Sequence, residues 1–437
     1  MRISPSRISA YENLMSIELG VSTSSDALAR SAQSLDERDL ALCYEITLGV
    51  LRKQLFLDHA IDQAAKGRKL DLEVRLALRL GLYQLWFLDR VPDYPAISES
   101  VDLAGRARKG SAKPFVNAIL RRLTRKAVEY GNLNETARFC IETSLPPWVI
   151  ERWSAQFGPD TARAIASANN VAPNTAFRST ALARSRGIDV TDLLDRGAAV
   201  PSGIVNGCFV AARITPALRR LESEGLIYFQ DEASQYVGSL AVVENARRVL
   251  DMCASPGSKT GQIAANMVSR SNPAMVVAGD INKNRAELLK GNVARQGASD
   301  ISIVLYDGTR ELPFAEKIFD VVLMDAPCSD SGTIRHNPEI RYRLSPHDII
   351  HHSQRQRKLL KTASKLIKPG GTLIYSTCSL EREENEEVVS DFLQIAVDFR
   401  KDDTRILSGL ATAEGFARTL PSRDDMDGFF AAVLIRG

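Results

Sequence analysis

Residues 246–260 read ARRVLDMCASPGSKT: a short apolar run of β type, a loop of small residues, and the start of a helix-forming segment. The same kind of run returns at 274–280 (AMVVAGD), 301–307 (ISIVLYD), 319–325 (FDVVLMD) and 371–377 (GTLIYST). Segments of helical character at 260–269, 283–297 and 346–368 separate most of them. Strands alternating with helices predict a parallel sheet covered on both faces. The helix at 346–368 carries its own punctuation: Ser345 to cap it, Pro346 at its first position, Asp348 in its first turn, and Pro369-Gly370-Gly371 to end it. The final residues, FFAAVLIRG (429–437), read as one more strand that completes the sheet.

Four runs end at or beside an aspartate: Asp251, Asp280, Asp307 and Asp325. In open α/β sheets ligands bind beyond the carboxyl ends of the strands, so these side chains should line one crevice. The small-residue loop from Cys253 to Lys259 lets backbone amides approach a ligand closely. Asp280 stands where a carboxylate can accept from the ribose hydroxyls of an adenosine cofactor. The string GSKT invites a nucleoside-triphosphatase reading, but Ser258 occupies the place where that motif needs glycine. Cys328, in DAPCS, and Cys378, in STCS, fall on the same edge. A lone cysteine is usually a small core residue. Two thiols beside a cofactor edge point to thiol chemistry on a substrate.

Outward from this region, residues 1–130 read as all helical. Apolar residues recur at helical spacing in Leu40, Tyr44, Leu48, Leu51, Leu55 and again in Val74, Leu78, Leu82, Leu85. Apolar residues on both sides of 76–88 place that helix in the middle of a bundle. Residues 131–144 look like a connector, and 170–232 alternate short apolar stretches with turn residues, as in a small α+β module. The division expected is therefore 1–130, 131–235 and 236–437, in keeping with about three domains for 437 residues.

The composition is that of a globular protein, 44% hydrophobic and 25% charged, which excludes disordered and collagen-like classes. The longest apolar candidate for a membrane span, 76–88, is interrupted by Arg79 and Gln84. The first 20 residues lack an apolar core of signal type, so a cytoplasmic protein is expected. Six scattered cysteines without a CxxC pair indicate neither a disulfide framework nor a zinc knuckle. His347, His351 and His352 have i, i+4 spacing but no third ligand at a recognised spacing, so they read as surface or RNA-facing side chains and no metal is expected. The net charge is only +3, yet 101–126 holds Arg106, Arg108, Lys109, Lys113, Arg121, Arg122, Arg125 and Lys126 against Asp102 alone. Such a block reads either as a polyanion-binding surface or as a solvated helix face.

Taken together, FQDEASQ (229–235), DMCASPGSKT (251–260), DAPCS (325–329), GTIRHNPEIR (332–341), STCS (376–379) and LPSRDDMDGFF (420–430) resemble the motif set of the NOL1/NOP2/Sun RNA cytosine-5 methyltransferases. LGVLRKQLFLDHAI (48–61), residues 78–104 and FVNAILRRL (115–123) resemble the NusB-like helical domain of one bacterial branch, the RsmB/Sun type, so the likeness spans nearly the whole chain. The resemblance implies a Rossmann-like S-adenosylmethionine-dependent methyltransferase domain, preceded by a small α+β module and an all-α NusB-like domain. It implies methylation of carbon 5 of a cytosine in 16S ribosomal RNA, by a monomer.

Position by position, the resemblance makes Cys253, Ala254, Ser255, Pro256, Gly257, Ser258 and Lys259 the S-adenosylmethionine loop. Asp280 holds the ribose, Asp307 lies near the adenine, and Asp325 lies near both methyl donor and target base. Cys378 is the nucleophile and Cys328 assists product release. Thiol addition to carbon 6 makes carbon 5 enamine-like, and an acid near ring nitrogen 3, with Asp325 as candidate, stabilises the charge that develops. In the front domain Arg106, Arg108, Lys109, Arg121 and Arg122 are candidates for RNA contact. The chain departs from the pattern at Ser255 and Ser258, which are small, and at Asp330-Ser331, where glycine-threonine is usual; Asp330 adds a carboxylate beside the target pocket. Alternatives are an RNA-binding assembly factor with weak or no catalysis, an enzyme acting on another RNA, and a DNA cytosine methyltransferase in which Cys328 attacks.

Overall fold

The computed structural model describes residues 3–124, 128–195, 197–267, 274–298 and 300–437. It divides into two units, one of residues 1–172 with 334–343, the other of 173–333 with 344–437.

The first unit is helical among its described residues. Helix Leu72–Phe87 runs through its core with Val74, Leu76, Ala77, Leu78, Leu80, Leu82 and Tyr83 all buried, as an apolar pattern on every side predicts. The two polar residues within that helix are satisfied rather than exposed. Arg79 donates to both carboxylate oxygens of Asp58, at 2.8 and 2.6 Å, and Gln84 accepts from Arg7 Nε at 2.6 Å. Residues 131–144 are not a plain connector. Asn134 caps helix Glu135–Thr143 by accepting from the amide of Ala137, and Cys140 and Thr143 are buried. A nine-residue helix with two buried positions is too short for a periodicity signal, which is why the sequence reading passes over it.

Residues 334–343 cluster with this unit. The Arg341 side chain, 1% exposed, donates to the carbonyls of Arg52, Thr143, Ser144 and Asn169 and to Asn170 Oδ1. Ser24 donates its amide to Glu339 Oε1 at 2.8 Å.

The second unit carries two sheets. Strands β1 (Thr175–Ser179), β2 (Val200–Pro201), β3 (Cys208–Ala211) and β4 (Ile227–Phe229) form an antiparallel sheet in the order β2-β3-β1-β4. Phe177, fully buried on β1, stacks on Phe209 and meets Phe229 edge-on. The larger sheet contains β5 (Arg248–Asp251), β6 (Met275–Asp280), β7 (Ser302–Leu305), β8 (Phe319–Asp325), β9 (Ile367–Thr377), β10 (Phe399–Lys401), β11 (Ala417–Arg418) and β12 (Phe430–Arg436). Its order is β10-β12-β9-β8-β5-β6-β7, with β11 paired to β12. β5 to β9 are mutually parallel; β12 runs antiparallel to β9, opposite Thr372 to Thr377. The strand order reverses direction at β5, which sits between β6 and β8. That reversal opens a crevice at the carboxyl ends of β5, β6 and β8.

Candidate active site

A cavity of about 530 Å³ occupies this crevice. Cys253 and Ser255 from the loop after β5, Asp280 from β6, Tyr306 after β7, and Asp325, Cys328 and Asp330 from the end of β8 line it, with Cys378 after β9. Helix Pro346–Leu366 contributes His352, Arg355 and Leu359. That helix starts where the punctuation predicts. Ser345 and Asp348 form a reciprocal capping box, with the Ser345 amide donating to Asp348 Oδ2 at 3.0 Å.

The loop after β5 is held tightly. Ala254 donates its amide to Gly279 O at 2.8 Å, and Gly257 donates to Ala254 O at 2.7 Å. Gly257 has φ +101°, and a Cβ there would stand 2.8 Å from a Leu289 methyl carbon, so this position requires glycine. Thr260 Oγ1 donates to Asp251 Oδ2 at 2.6 Å, while Asp251 Oδ1 is buried with no partner among the described residues. Burial pushes the Asp251 carboxyl up to about 7. Burial also pushes the Cys253 thiol up to about 12, which makes it a wall of the cavity rather than a reactive group.

At the β6 end, Asp280 Oδ1 accepts from the amide of Asn282 at 3.0 Å, and Oδ2 lies 3.2 Å from Arg285 Nε. Arg285 is largely exposed and also donates to Ser255 O at 3.1 Å, so it ties Asp280 to the loop after β5 along the cavity wall. Asp307 behaves differently. It accepts from the amide and hydroxyl of Thr309 at 2.9 and 2.7 Å, which hold its carboxyl below the usual range. Its neighbours Tyr306 and Gly308 line the cavity in its place. Of the loop residues named from sequence, Ala254, Pro256, Gly257 and Ser258 shape the turn, and Cys253 and Ser255 face the cavity.

Lys259 reaches across the sheet edge. Its Nζ donates to Asp325 Oδ2 at 2.6 Å, and Ser376 Oγ donates to Asp325 Oδ1 at 2.7 Å. Burial works against the ammonium charge, but Asp325 more than offsets this and holds the Lys259 pKa above its ordinary value. Lys259 thus stays protonated and donates to Asp325.

The two thiols meet. Cys328 Sγ and Cys378 Sγ are 3.3 Å apart, and Cys378 Sγ donates to Asp330 Oδ1 at 2.7 Å. Their loops are tied beneath by Glu384, which is fully buried. It accepts from the Ser329 amide at 3.0 Å and the Ser329 hydroxyl at 2.5 Å, and also from the Ser379 hydroxyl. The contact with Cys328, then burial and the carboxylate of Asp330, raise the Cys378 pKa well above a free thiol's. For Cys328, the hydrogen bond with Cys378 pulls the pKa down, but burial and neighbouring carboxylates carry it up to about 12. Both thiols are therefore protonated at rest, and attack requires a proton acceptor nearby.

Three lining residues on helix Pro346–Leu366 escape the sequence reading. His352, taken as surface or RNA-facing, is half-buried in the cavity wall, and burial lowers its pKa. Arg355 and Leu359 join it at i, i+3 and i+7 on one helix face. The spacing is visible in the sequence, but a mixed polar and apolar face reads there as a solvated surface.

In the first unit, the basic block resolves into two kinds of residue. Lys109 Nζ pairs with Asp71 at 2.7 Å, Lys113 Nζ with Asp102 at 2.8 Å, and Arg106 with Glu12 at 3.2 Å. Arg108, Arg121 and Arg122 are exposed. Arg125 and Lys126 lie outside the described residues. Among the described residues no helix is long and apolar enough to cross a membrane.

Comparison with known proteins bears on both units. The 16S rRNA methyltransferase RsmB/F family matches residues 238–435, and the NusB family matches 4–125. A protein of Bacillus subtilis (strain 168), "Probable ribosomal RNA small subunit methyltransferase B", is 31% identical over 96% of this chain and 96% of its own. The ribosomal RNA small subunit methyltransferase B of Pseudomonas putida (strain ATCC 47054) is 30% identical over 98% of each chain. The solved structure of PH0851 is similar over 100% of both chains, with TM-score 0.82 and 26% identity.

Proposed function

Because the chain belongs to the family of ribosomal RNA small subunit methyltransferase B, we propose that it methylates carbon 5 of a cytosine in 16S rRNA through a covalent cysteine–cytosine adduct. The family is one of S-adenosylmethionine-dependent methyltransferases. The cavity fits that donor: a glycine-requiring loop at one wall, the Asp280 carboxylate for hydroxyls, and the apolar sides of Tyr306 and Leu359. Residues Cys253 to Lys259, Asp280, Asp307 and Asp325 are the proposed donor-side set, with Asp307 acting through its loop. The bound donor supplies an electrophilic methyl group.

The chain's own residues then divide the work. Cys378 adds to carbon 6 of the target base, which makes carbon 5 nucleophilic. The Lys259–Asp325 pair stabilises charge developing at ring nitrogen 3, with the ammonium as its proton-bearing member. Cys328 assists release of the product. Residues 1–130, with Arg108, Arg121 and Arg122 foremost and Arg106 and Lys109 beside them, supply RNA contact, 131–235 a second RNA-facing module, and 236–437 the chemistry. We place the enzyme in the cytoplasm as a monomer that needs no metal.

The observation that carries this reading is the paired thiols 3.3 Å apart, one strand-end from the Lys259–Asp325 pair. The test separates the thiols. With labelled donor and 16S rRNA lacking native modification, Cys328→Ser should accumulate a protein–RNA adduct stable to denaturing electrophoresis, and Cys378→Ser should form none. The opposite pattern would refute the assignment and move the mechanism to the arrangement in which Cys328 attacks.

A further inference from the structure

Addition of a thiol to carbon 6 releases a proton, and the thiol that carries it already points at a carboxylate. Cys378 Sγ donates to Asp330 Oδ1 at 2.7 Å, and Cys328 Sγ approaches the same oxygen at 3.5 Å. We infer that Asp330 is the general base of the addition step, a catalytic role that rests on Cys378 being the nucleophile. The Sγ–H bond of Cys378 breaks and its proton passes to Asp330 Oδ1 as the bond from Sγ to carbon 6 forms. The π pair between carbons 5 and 6 shifts through carbon 4 to ring nitrogen 3, where Lys259 meets it. Once carbon 5 has taken the methyl group, its proton is lost to solvent, the bonding pair restores the double bond between carbons 5 and 6 as the bond from Sγ to carbon 6 breaks, and the expelled thiolate recovers its proton from Asp330, so the residue ends each cycle as it began.

Geometry gives this role to Asp330 and to no other carboxylate lining the cavity. Asp325 is taken by Lys259 and Ser376, and Asp280 by Asn282 and Arg285. Asp330 receives only the two thiols through its side chain among the described hydrogen bonds. The groups that face it are Cys328 and Asp325 from the β8 end, Cys378 after β9, and His352 and Arg355 from helix Pro346–Leu366. Asp330 itself is exposed, but the protein packed around its carboxyl raises it above the usual range, with the thiol hydrogen bonds opposing that rise. A stronger base near neutrality is what proton transfer from a reluctant thiol requires.

Asp330 has φ +57°, a left-handed conformation that asparagine also adopts readily, so Asp330→Asn should fold as the parent does. The experiment is single-turnover methyl transfer to unmodified 16S rRNA from labelled S-adenosylmethionine, across roughly pH 5 to 9. Calorimetric affinity for S-adenosylmethionine serves as the control for folding. General base loss typically costs ~10²–10⁴ in rate. D330N should fall within that range and lose the acidic limb of the profile. Retention of the rate within about threefold would overturn the inference, and so would a slow D330N that keeps the parent's pH profile, since that marks a structural role. Parent-like turnover by Cys378→Ser would overturn the nucleophile assignment and the base with it, whereas parent-like turnover by D330N alone removes only the base.

Discussion

Glu384→Gln makes the stability of the second unit less dependent on pH, and the size of the change follows from burial. Glu384 is fully buried beneath the two cysteine loops, and burial outweighs its hydrogen bonds from Ser329 and Ser379 to push its carboxyl up from 4.5 to about 7. The folded state therefore holds a proton that the unfolded chain releases at lower pH. Where the folded state binds more protons, stability falls as pH rises. The favourable contribution is complete below the unfolded value and is lost as pH climbs through about 7. Between about pH 5 and about pH 8 the wild type should lose roughly 2–3 kcal/mol that E384Q, neutral throughout, does not. For a unit of this size that is on the order of 5–10 °C in the midpoint difference between the two proteins. Scanning calorimetry of both full-length proteins at the two pH values measures it as a difference of differences, which cancels every other titrating group. A gap between wild type and E384Q that stays the same at both pH values would show that Glu384 does not titrate in this window, and the argument from its burial would fall.

Other outcomes follow from the same contacts. Asp280→Ala should weaken S-adenosylmethionine binding by about ten- to a hundredfold, the value of a charge-assisted acceptor, and leave RNA affinity unchanged; calorimetry showing parent-like donor affinity would take Asp280 out of the site. Neutralising Arg108, Arg121 and Arg122 should lower the slope of log RNA affinity on log salt by roughly one per phosphate contact, while neutralising Lys109, already paired with Asp71, should lower it less; equal slopes would mean that the block is a solvated face. Arg341→Met should destabilise the helical unit by roughly 2–5 kcal/mol, because it strands the carbonyls of Arg52 and Asn169, while those of Thr143 and Ser144 keep Asn170 Nδ2 and the Tyr342 hydroxyl; an unshifted thermal transition would show the stranded carbonyls to be otherwise satisfied.

The sequence is most legible where one strong physical signal acts alone. Parallel strands buried on both faces write themselves as unbroken apolar runs, so β5, β6, β8 and β9 are all anticipated, as is the capped start of helix Pro346–Leu366. The buried all-round helix Leu72–Phe87 is visible for the same reason. What stays hidden depends on where side chains end up in space. Nothing in the string DAPCSDS says that Asp330 will lie against Cys378 while Asp307 turns back on Thr309. Glu384, within the acid-rich string EREENEE (381–387), is buried because three hydroxyl and amide donors from loops 50 residues apart converge on it. Lys259 is visible as part of the loop, but its ion pair with Asp325, 66 residues away, is a product of strand order.

The assignment of residues 334–343 to the helical unit has a practical meaning for anyone dissecting this chain. The polypeptide crosses from one unit to the other not once but three times, after residues 172, 333 and 343. A single protease nick between 172 and 173 would therefore leave the two pieces joined through the later segment. A fragment ending at residue 172 would lack Glu339 and Arg341, whose acceptors and donors lie on Ser24, Arg52, Thr143, Ser144 and Asn169. Such a fragment would expose a vacant slot lined by backbone carbonyls, and a synthetic peptide spanning 334–343 is the natural reagent to refill it in trans.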